Sequence, residues 1–169
     1  MGMMEQTSDT IALGKQLSAA GGLMVAMTVV HAFGITAISH LLNLREERLD
    51  ELNFGIHSII KMSAMGFMLL LLHSLEIGLF GAFYLWVGGV GTVKEALFYS
   101  ASTYTTLGRT AEYFPPDWRL IGAFEALIGF LLIGWSTAFL FETLHRILNT
   151  EDGHPFPIGA IASRKTAKR

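Results

Sequence analysis

Cysteine is absent from the 169-residue chain, so neither a disulfide framework nor a thiolate-held metal is within its means. Charge is scarce too. Asp, Glu, Lys and Arg make up 15% of residues, against about 25% in ordinary soluble domains. No sign of charge dominates: 12 basic and 14 acidic residues leave a net charge of −2. A nucleic-acid surface needs a basic excess, and none is present. Proline is confined to four positions, Pro115, Pro116, Pro155 and Pro157, so the long apolar runs elsewhere carry no helix breaker. The opening decapeptide, MGMMEQTSDT, lacks the basic start and immediate apolar run of a secretory signal, and no cleaved signal is read there.

What the chain has is apolar length, with 51% hydrophobic residues. Crossing a bilayer takes about 20 mostly apolar helical residues. Three runs satisfy this: Leu17 to Leu42, Met62 to Val87 and Leu120 to Phe141. The expected fold is an all-α integral membrane protein with the lipid bilayer as its first partner. Three regions follow: residues 1–60, holding the first span and an amphipathic stretch; residues 61–148, holding the other two spans and what lies between; and a tail, 149–169. In the stretch NLREERLDELNFGIHSII, Leu49, Leu52, Ile56 and Ile59 recur at helical spacing with charges between them. The spacing predicts a helix on the membrane surface, or an extension of the spans into water. Met24, Met27, Met62, Met65 and Met68 are expected to face lipid or to pack.

The segment from Lys94 to Thr106, KEALFYSASTYTT, is apolar and aromatic but too short to span. It follows a glycine-rich break at Gly88, Gly89 and Gly91. It precedes LGRTAEYFPPDWR, which cannot be helical through its two prolines, and Asp117 is placed to cap the last span. A short helix and a glycine-containing turn between two spans can deliver backbone carbonyls into a membrane. Such carbonyls can replace the hydration shell of a monovalent cation. The order of span, short helix, turn and span resembles that of two-transmembrane potassium channels. The stretch STYTTLG, Ser102 to Gly108, is placed like the approach to their filter. Residues 61–148 are also similar to small bacterial channel-like proteins of that superfamily. The shared features are His73 and Glu76 as His-x-x-Glu, the Trp118-Arg119-Leu120 start of the last span, and the run Gly134 to Phe141. The resemblance implies a re-entrant pore helix and a filter of Thr105, Thr106, Leu107, Gly108, Arg109 and Thr110. Thr106, Leu107 and Gly108 would hold the permeant ion, K+ or Na+. The superfamily also implies a homotetramer, no other cofactor and no enzymatic activity.

The match breaks at Arg109, Thr110 and Ala111, where the family pattern continues as Tyr-Gly-Asp. Thr110 loses a glycine's permissive backbone. A buried Arg109 would need Glu112, Asp117 or Glu76 as partner. Four copies of Arg109 facing a common axis would each cost a cation about 1.7 kcal/mol at roughly 10 Å and an effective dielectric near 20. Reduced or altered K+ selectivity follows. A non-conducting regulatory or structural subunit, able to assemble with a related channel subunit, is the alternative. A third class rests on His31, His40 and His73, in or near the spans. Paired histidines on two helices could ligate haem, as in a cytochrome b-like anchor, and the plainer reading is a histidine bonded to a neighbouring helix. His73 and Glu76, three apart, should form a hydrogen-bonded pair. Glu125 could face the short helix or the pore. Gly122, Ala126 and Gly129 form a small-residue stripe suited to close packing, and Gly129 or Gly134 could instead hinge a gate.

Basic residues place the termini. Arg45, Arg48 and Lys61 after the first span, and Arg146, Arg164, Lys165, Lys168 and Arg169 in or before the tail, mark the cytoplasmic side of a plasma (inner) membrane. The N-terminus then lies outside. Cysteines engineered near Thr7 and near Lys168 should react with a membrane-impermeant thiol reagent from opposite sides; labelling of both from one side would refute an odd number of spans.

Overall fold

The computed structural model describes residues 2–42, 56–108 and 118–152. Four helices account for nearly all of them: α1 (Gly2–Leu41), α2 (Ile56–Trp86), α3 (Val93–Tyr104) and α4 (Arg119–Asp152). No strand occurs among the described residues. Among the described residues, three segments are long and apolar enough to cross a membrane: Leu13–Leu41, Ile59–Trp86 and Arg119–Arg146. The chain is a multi-pass all-α membrane protein.

Hydrocarbon offers no hydrogen bonds, so hydroxyls inside the spans must find partners in the chain. Thr28, Thr36, Ser74, Thr137 and Thr143 each donate to the carbonyl four residues earlier on their own helix, at 2.7–2.9 Å. This keeps polar side chains compatible with a span without any interhelical contact.

The helix faces that meet are set by register. On α1 the buried residues Ala20, Met27, His31 and Ile38 are separated by seven, four and seven positions. On α2 the stripe is Met65, Leu69, Leu72, Glu76, Phe80 and Tyr84, and on α4 it is Ile121, Glu125, Ile128, Leu132 and Ser136. Steps of three, four and seven keep residues on one helix face. Polar His31, Glu76, Glu125 and Ser136 therefore sit in line with the core residues. Both α1 and α3 pack against α2 and α4, and α1 and α3 make no direct backbone contact of their own.

Turn chemistry accounts for the short helix. Gly88 adopts φ +69°, and the Gly89 and Gly88 amides donate to the carbonyls of Tyr84 and Leu85. This is a Schellman ending, which stops α2 and turns the chain back. Thr92, extended, then accepts a hydrogen bond from the Glu95 amide at 3.2 Å and opens α3, with Glu95 in the first turn where the helix dipole favours an acid.

Several expectations shift. The spans are longer than their hydrophobic runs: α1 starts at Gly2, ahead of Leu17, and α2 starts at Ile56. Ile56 to Ile60 are continuous with the spanning helix, as the second of the two readings of that stretch has it, because nothing in IHSII interrupts helical geometry. The rest of that stretch, 43–55, lies outside the described residues. So do the Asp117 cap and residues 153–169 of the tail, and α4 continues to Asp152, past the boundary expected at 148. The short helix ends at Tyr104, two residues before Thr106. Met27 and Met65 are buried packing residues.

The small-residue stripe on α4 packs against α3. A Cβ on Gly129 would lie 2.5 Å from the Tyr104 carbonyl oxygen and 2.9 Å from its ring, whereas a Cβ on Gly134 would meet nothing within 4 Å. Backbone cannot give way as a side-chain tip can. Gly129→Ala should therefore destabilise the detergent-solubilised protein by about 1–3 kcal/mol, the usual cost of overpacking, and Gly134→Ala should be near neutral. Thermal unfolding followed by circular dichroism measures both; equal effects would contradict this packing.

Candidate functional site: a re-entrant turn and its two buried carboxylates

The turn after α3 is built from its own backbone. The Thr105, Thr106 and Gly108 amides donate to the carbonyls of Ala101, Thr103 and Ser102, at 3.1, 2.9 and 3.2 Å. The Thr105 hydroxyl donates to the Ala101 carbonyl at 2.7 Å. Thr106 and Gly108 have φ of +61° and +67°. Gly108 adopts this without strain, but a β-branched threonine does not, so Thr106 is held there by its surroundings. All four residues from Thr105 to Gly108 are exposed, Leu107 at 69%. Arg109 and Thr110 lie outside the described residues.

Two carboxylates behind this turn secure α3. Glu76 is fully buried on α2. Its Oε1 lies 2.8 Å from Nδ1 of His31, which crosses from α1. Its Oε2 accepts from the Tyr104 hydroxyl at 2.5 Å and lies 3.0 Å from Nδ1 of His73. His73 Nδ1 is also 2.9 Å from the Tyr104 oxygen. On the far side of His31, Nε2 lies 3.3 Å from Oγ of Ser136 on α4. The two imidazoles stack with centroids 5.4 Å apart, and Trp135 flanks His31 at 5.5 Å. One carboxylate thus joins α1, α2 and the last residue of α3, and His31 carries the chain of contacts on to α4.

Glu125, fully buried on α4, faces α3. The Tyr84 hydroxyl donates to its Oε2, and the Ser100 hydroxyl lies 2.5 Å from its Oε1 and 2.9 Å from the Ile77 carbonyl oxygen. The middle of α3 is thereby tied to both flanking spans. Tyr99 packs edge-on against Tyr84 at 4.9 Å.

Of the residues singled out from sequence, His73 and Glu76 form the expected pair, and Glu125 takes the short-helix side of its two options. His31 bonds to a neighbouring helix, while His40 is exposed. Gly129 serves close packing, and Gly134 lies on an exposed face. Glu76 is engaged by three side chains, and Arg109, for which it was one suggested partner, lies outside the described residues. Sequence reading missed Tyr104, Ser100, Tyr84 and Ser136. A signal existed: Tyr84 and Ser136 fall in the same seven-residue register as the buried apolar positions, and a buried tyrosine needs a hydroxyl partner.

A family model described as ion channel matches residues 72–146, from the middle of α2 to the last turns of α4. Over these residues the chain is similar to that ion-channel family. The matched stretch contains Glu76, α3, the turn and Glu125, so both buried carboxylates lie within the match, while His31 comes from a helix outside it. No curated protein and no solved structure matches the chain.

Tyr104→Phe deletes a hydrogen bond to the buried Glu76 carboxylate. It should cost about 1.5–3 kcal/mol of stability in detergent. Thr137→Val, which deletes only a hydroxyl bonded within its own helix, should stay within about 0.5 kcal/mol. Chemical unfolding of both variants measures the difference, and indistinguishable midpoints would refute a supporting role for the Glu76–Tyr104 bond.

Proposed function

We propose that the chain assembles as a homotetramer in the plasma membrane, N-terminus outside and C-terminus in the cytoplasm, and passes monovalent cations along a path lined by Thr106, Leu107 and Gly108. The observation that carries this reading is the exposed turn at the C-terminal end of α3, inside an ion-channel domain. One turn cannot surround an ion, and fourfold cyclic closure supplies the ring. Residues buried in such a ring are exposed in a single chain, as Thr105 to Gly108 are. Positive φ at Thr106 and Gly108, with Leu107 between them, alternates the handedness of the backbone. Alternation of this kind turns successive peptide groups toward one side, as a carbonyl-lined filter requires. The helix dipole adds partial negative charge at the C-terminal end of α3. A cleft lined by Tyr99, Thr103, Thr106, Gly108, Arg119 and Gly122 opens beside the turn and gives a neighbouring subunit a surface to cover.

Arg109 and Thr110, standing where the channel pattern has Tyr-Gly, leave fewer ordered carbonyl rings and add positive charge, so discrimination between K+ and Na+ should be weak. The same two residues favour the second reading, a non-conducting subunit that acts beside a related channel chain. The haem-anchor reading is less favoured, since the His31 and His73 rings stack at 5.4 Å with both Nδ1 atoms turned to one carboxylate. Ion passage, not catalysis, is the activity proposed.

Proteoliposome flux with K+, Na+ and Cl−, together with the mass of the detergent-solubilised assembly by light scattering, tests this. A tetramer with cation flux of low K+/Na+ preference is expected, and Arg109→Tyr with Thr110→Gly and Ala111→Asp should raise that preference. A monomer or dimer would overturn the assembly. A silent tetramer would favour the non-conducting subunit, and strong K+ preference in the native chain would overturn the account of the filter.

A further inference from the structure

Side chains of three different chemistries converge where α1 meets the channel domain. The potential ligand atoms of His31, His73 and Glu76 all lie within 4.8 Å of one another. The Tyr104 oxygen sits 2.5 Å from Glu76 Oε2 and 2.9 Å from His73 Nδ1, within reach of the same point. We propose that His31, His73 and Glu76 form a binding site for a divalent transition-metal ion of the zinc class, with Tyr104 as the fourth ligand. This site is separate from the ion path proposed at Thr106 to Gly108 and does not depend on it.

The donor set decides the class of ion. Two imidazole nitrogens and a carboxylate suit Zn2+ and its first-row neighbours, whereas Mg2+ and Ca2+ require oxygen cages. Ligand atoms around a tetrahedral Zn2+, at bonds of about 2.0–2.1 Å, stand roughly 3.3 Å apart. The nitrogen–oxygen separations here are 2.8 and 3.0 Å, so small rotations of the rings would open the cluster around an ion.

Proton placement allows two states. Without metal, each Nδ1–H donates to Glu76, and His31 Nε2 accepts from Ser136. With metal, the Nδ1 lone pairs must face the ion and the ring proton moves to Nε2, where Ser136 Oγ, 3.3 Å away, becomes the acceptor. A serine hydroxyl can serve in either sense. It thus supplies the outer partner that metal-bound histidines usually have. Glu76 offsets one charge of the ion, and release of the Tyr104 proton to solvent on binding offsets the other, so the occupied site is neutral inside the membrane. His73 provides the approach, with 14% of its side chain exposed beside fully buried His31 and Glu76.

Because His31 lies on α1 and the other ligands on α2 and α3, a bound ion would fasten the additional helix to the residue that begins the turn. The test is Zn2+ binding to the full chain in detergent, by titration calorimetry with ZnCl2 and by visible absorption with CoCl2. The expected result is one ion per chain, with the intense absorption of four-coordinate Co2+. Both signals should persist in H40Q/H57Q/H145Q/H154Q, which removes the other four histidines, and affinity should fall at least tenfold in His31→Gln and in His73→Gln. No stoichiometric binding, binding unchanged in those two variants, or loss in the quadruple variant would overturn the proposal. Should His31→Gln or His73→Gln fail to fold, X-ray absorption at the zinc edge of the quadruple variant decides: two imidazole ligands support the site, and a shell without imidazole overturns it.

Discussion

A carboxylate buried between membrane helices sets the terms for the rest of the molecule. Glu76 has no water to solvate it, and leaving it without donors would cost several kcal/mol. The fold answers with donors from three helices: His31 from α1, His73 from the next turn of α2 and Tyr104 from the end of α3. These contacts fix more than the charge. They set the rotation of α1 and α2 about their axes, since a slip of one residue would carry His31 or Glu76 off the shared face. They also hold Tyr104, from which the Thr105–Gly108 turn starts.

Glu125 does the same for the middle of α3, and the two carboxylates divide the work. Ser100 is held to α2 and α4 through Glu125 and the Ile77 carbonyl, and Tyr104 is held to α2 and α1 through Glu76. A twelve-residue helix attached at two points four residues apart can neither roll nor slide. Gly129 completes the constraint by letting α4 approach the Tyr104 backbone more closely than any Cβ would allow. With α3 fixed in this way, the positive φ at Thr106 is sustained by surrounding structure. Hydrophobic burial alone would not do this, because lipid is as apolar as the core and gives little preference for one rotation of a helix over another.

That same equivalence explains what sequence reading reached. Spans were legible because a membrane demands length and apolarity. The short helix was legible because Gly88, Gly89 and Gly91 break the chain on one side and Gly108 does so on the other. The pairing of His73 with Glu76 followed from helical spacing. Which way the spans turn was harder to see, since their exposed faces carry residues such as Phe33, Leu70 and Phe130 that are as hydrophobic as the core. The long-range bonds of His31 to Glu76 and of Tyr84 to Glu125 depend on that rotation and carry no local signal beyond register. The sequence keeps surface helix and extension of a span as alternatives for the stretch ending at Ile60, because Ile56 to Ile60 satisfy an amphipathic pattern and a spanning helix equally well.

The position of α1 gives the arrangement its asymmetry. The family match begins after α1, yet one of the three donors to its buried Glu76 comes from that helix. Removing α1 would leave Glu76 Oε1 facing lipid, so the added helix is part of the structure that holds the turn and not a simple appendage. Its contact is also adjustable: an imidazole and a serine hydroxyl can exchange donor and acceptor roles without moving the backbone. Whatever acts on His31 therefore acts, through Glu76 and Tyr104, on the residue from which the turn is hung. Only two direct hydrogen bonds, both to Glu76, separate His31 from Tyr104.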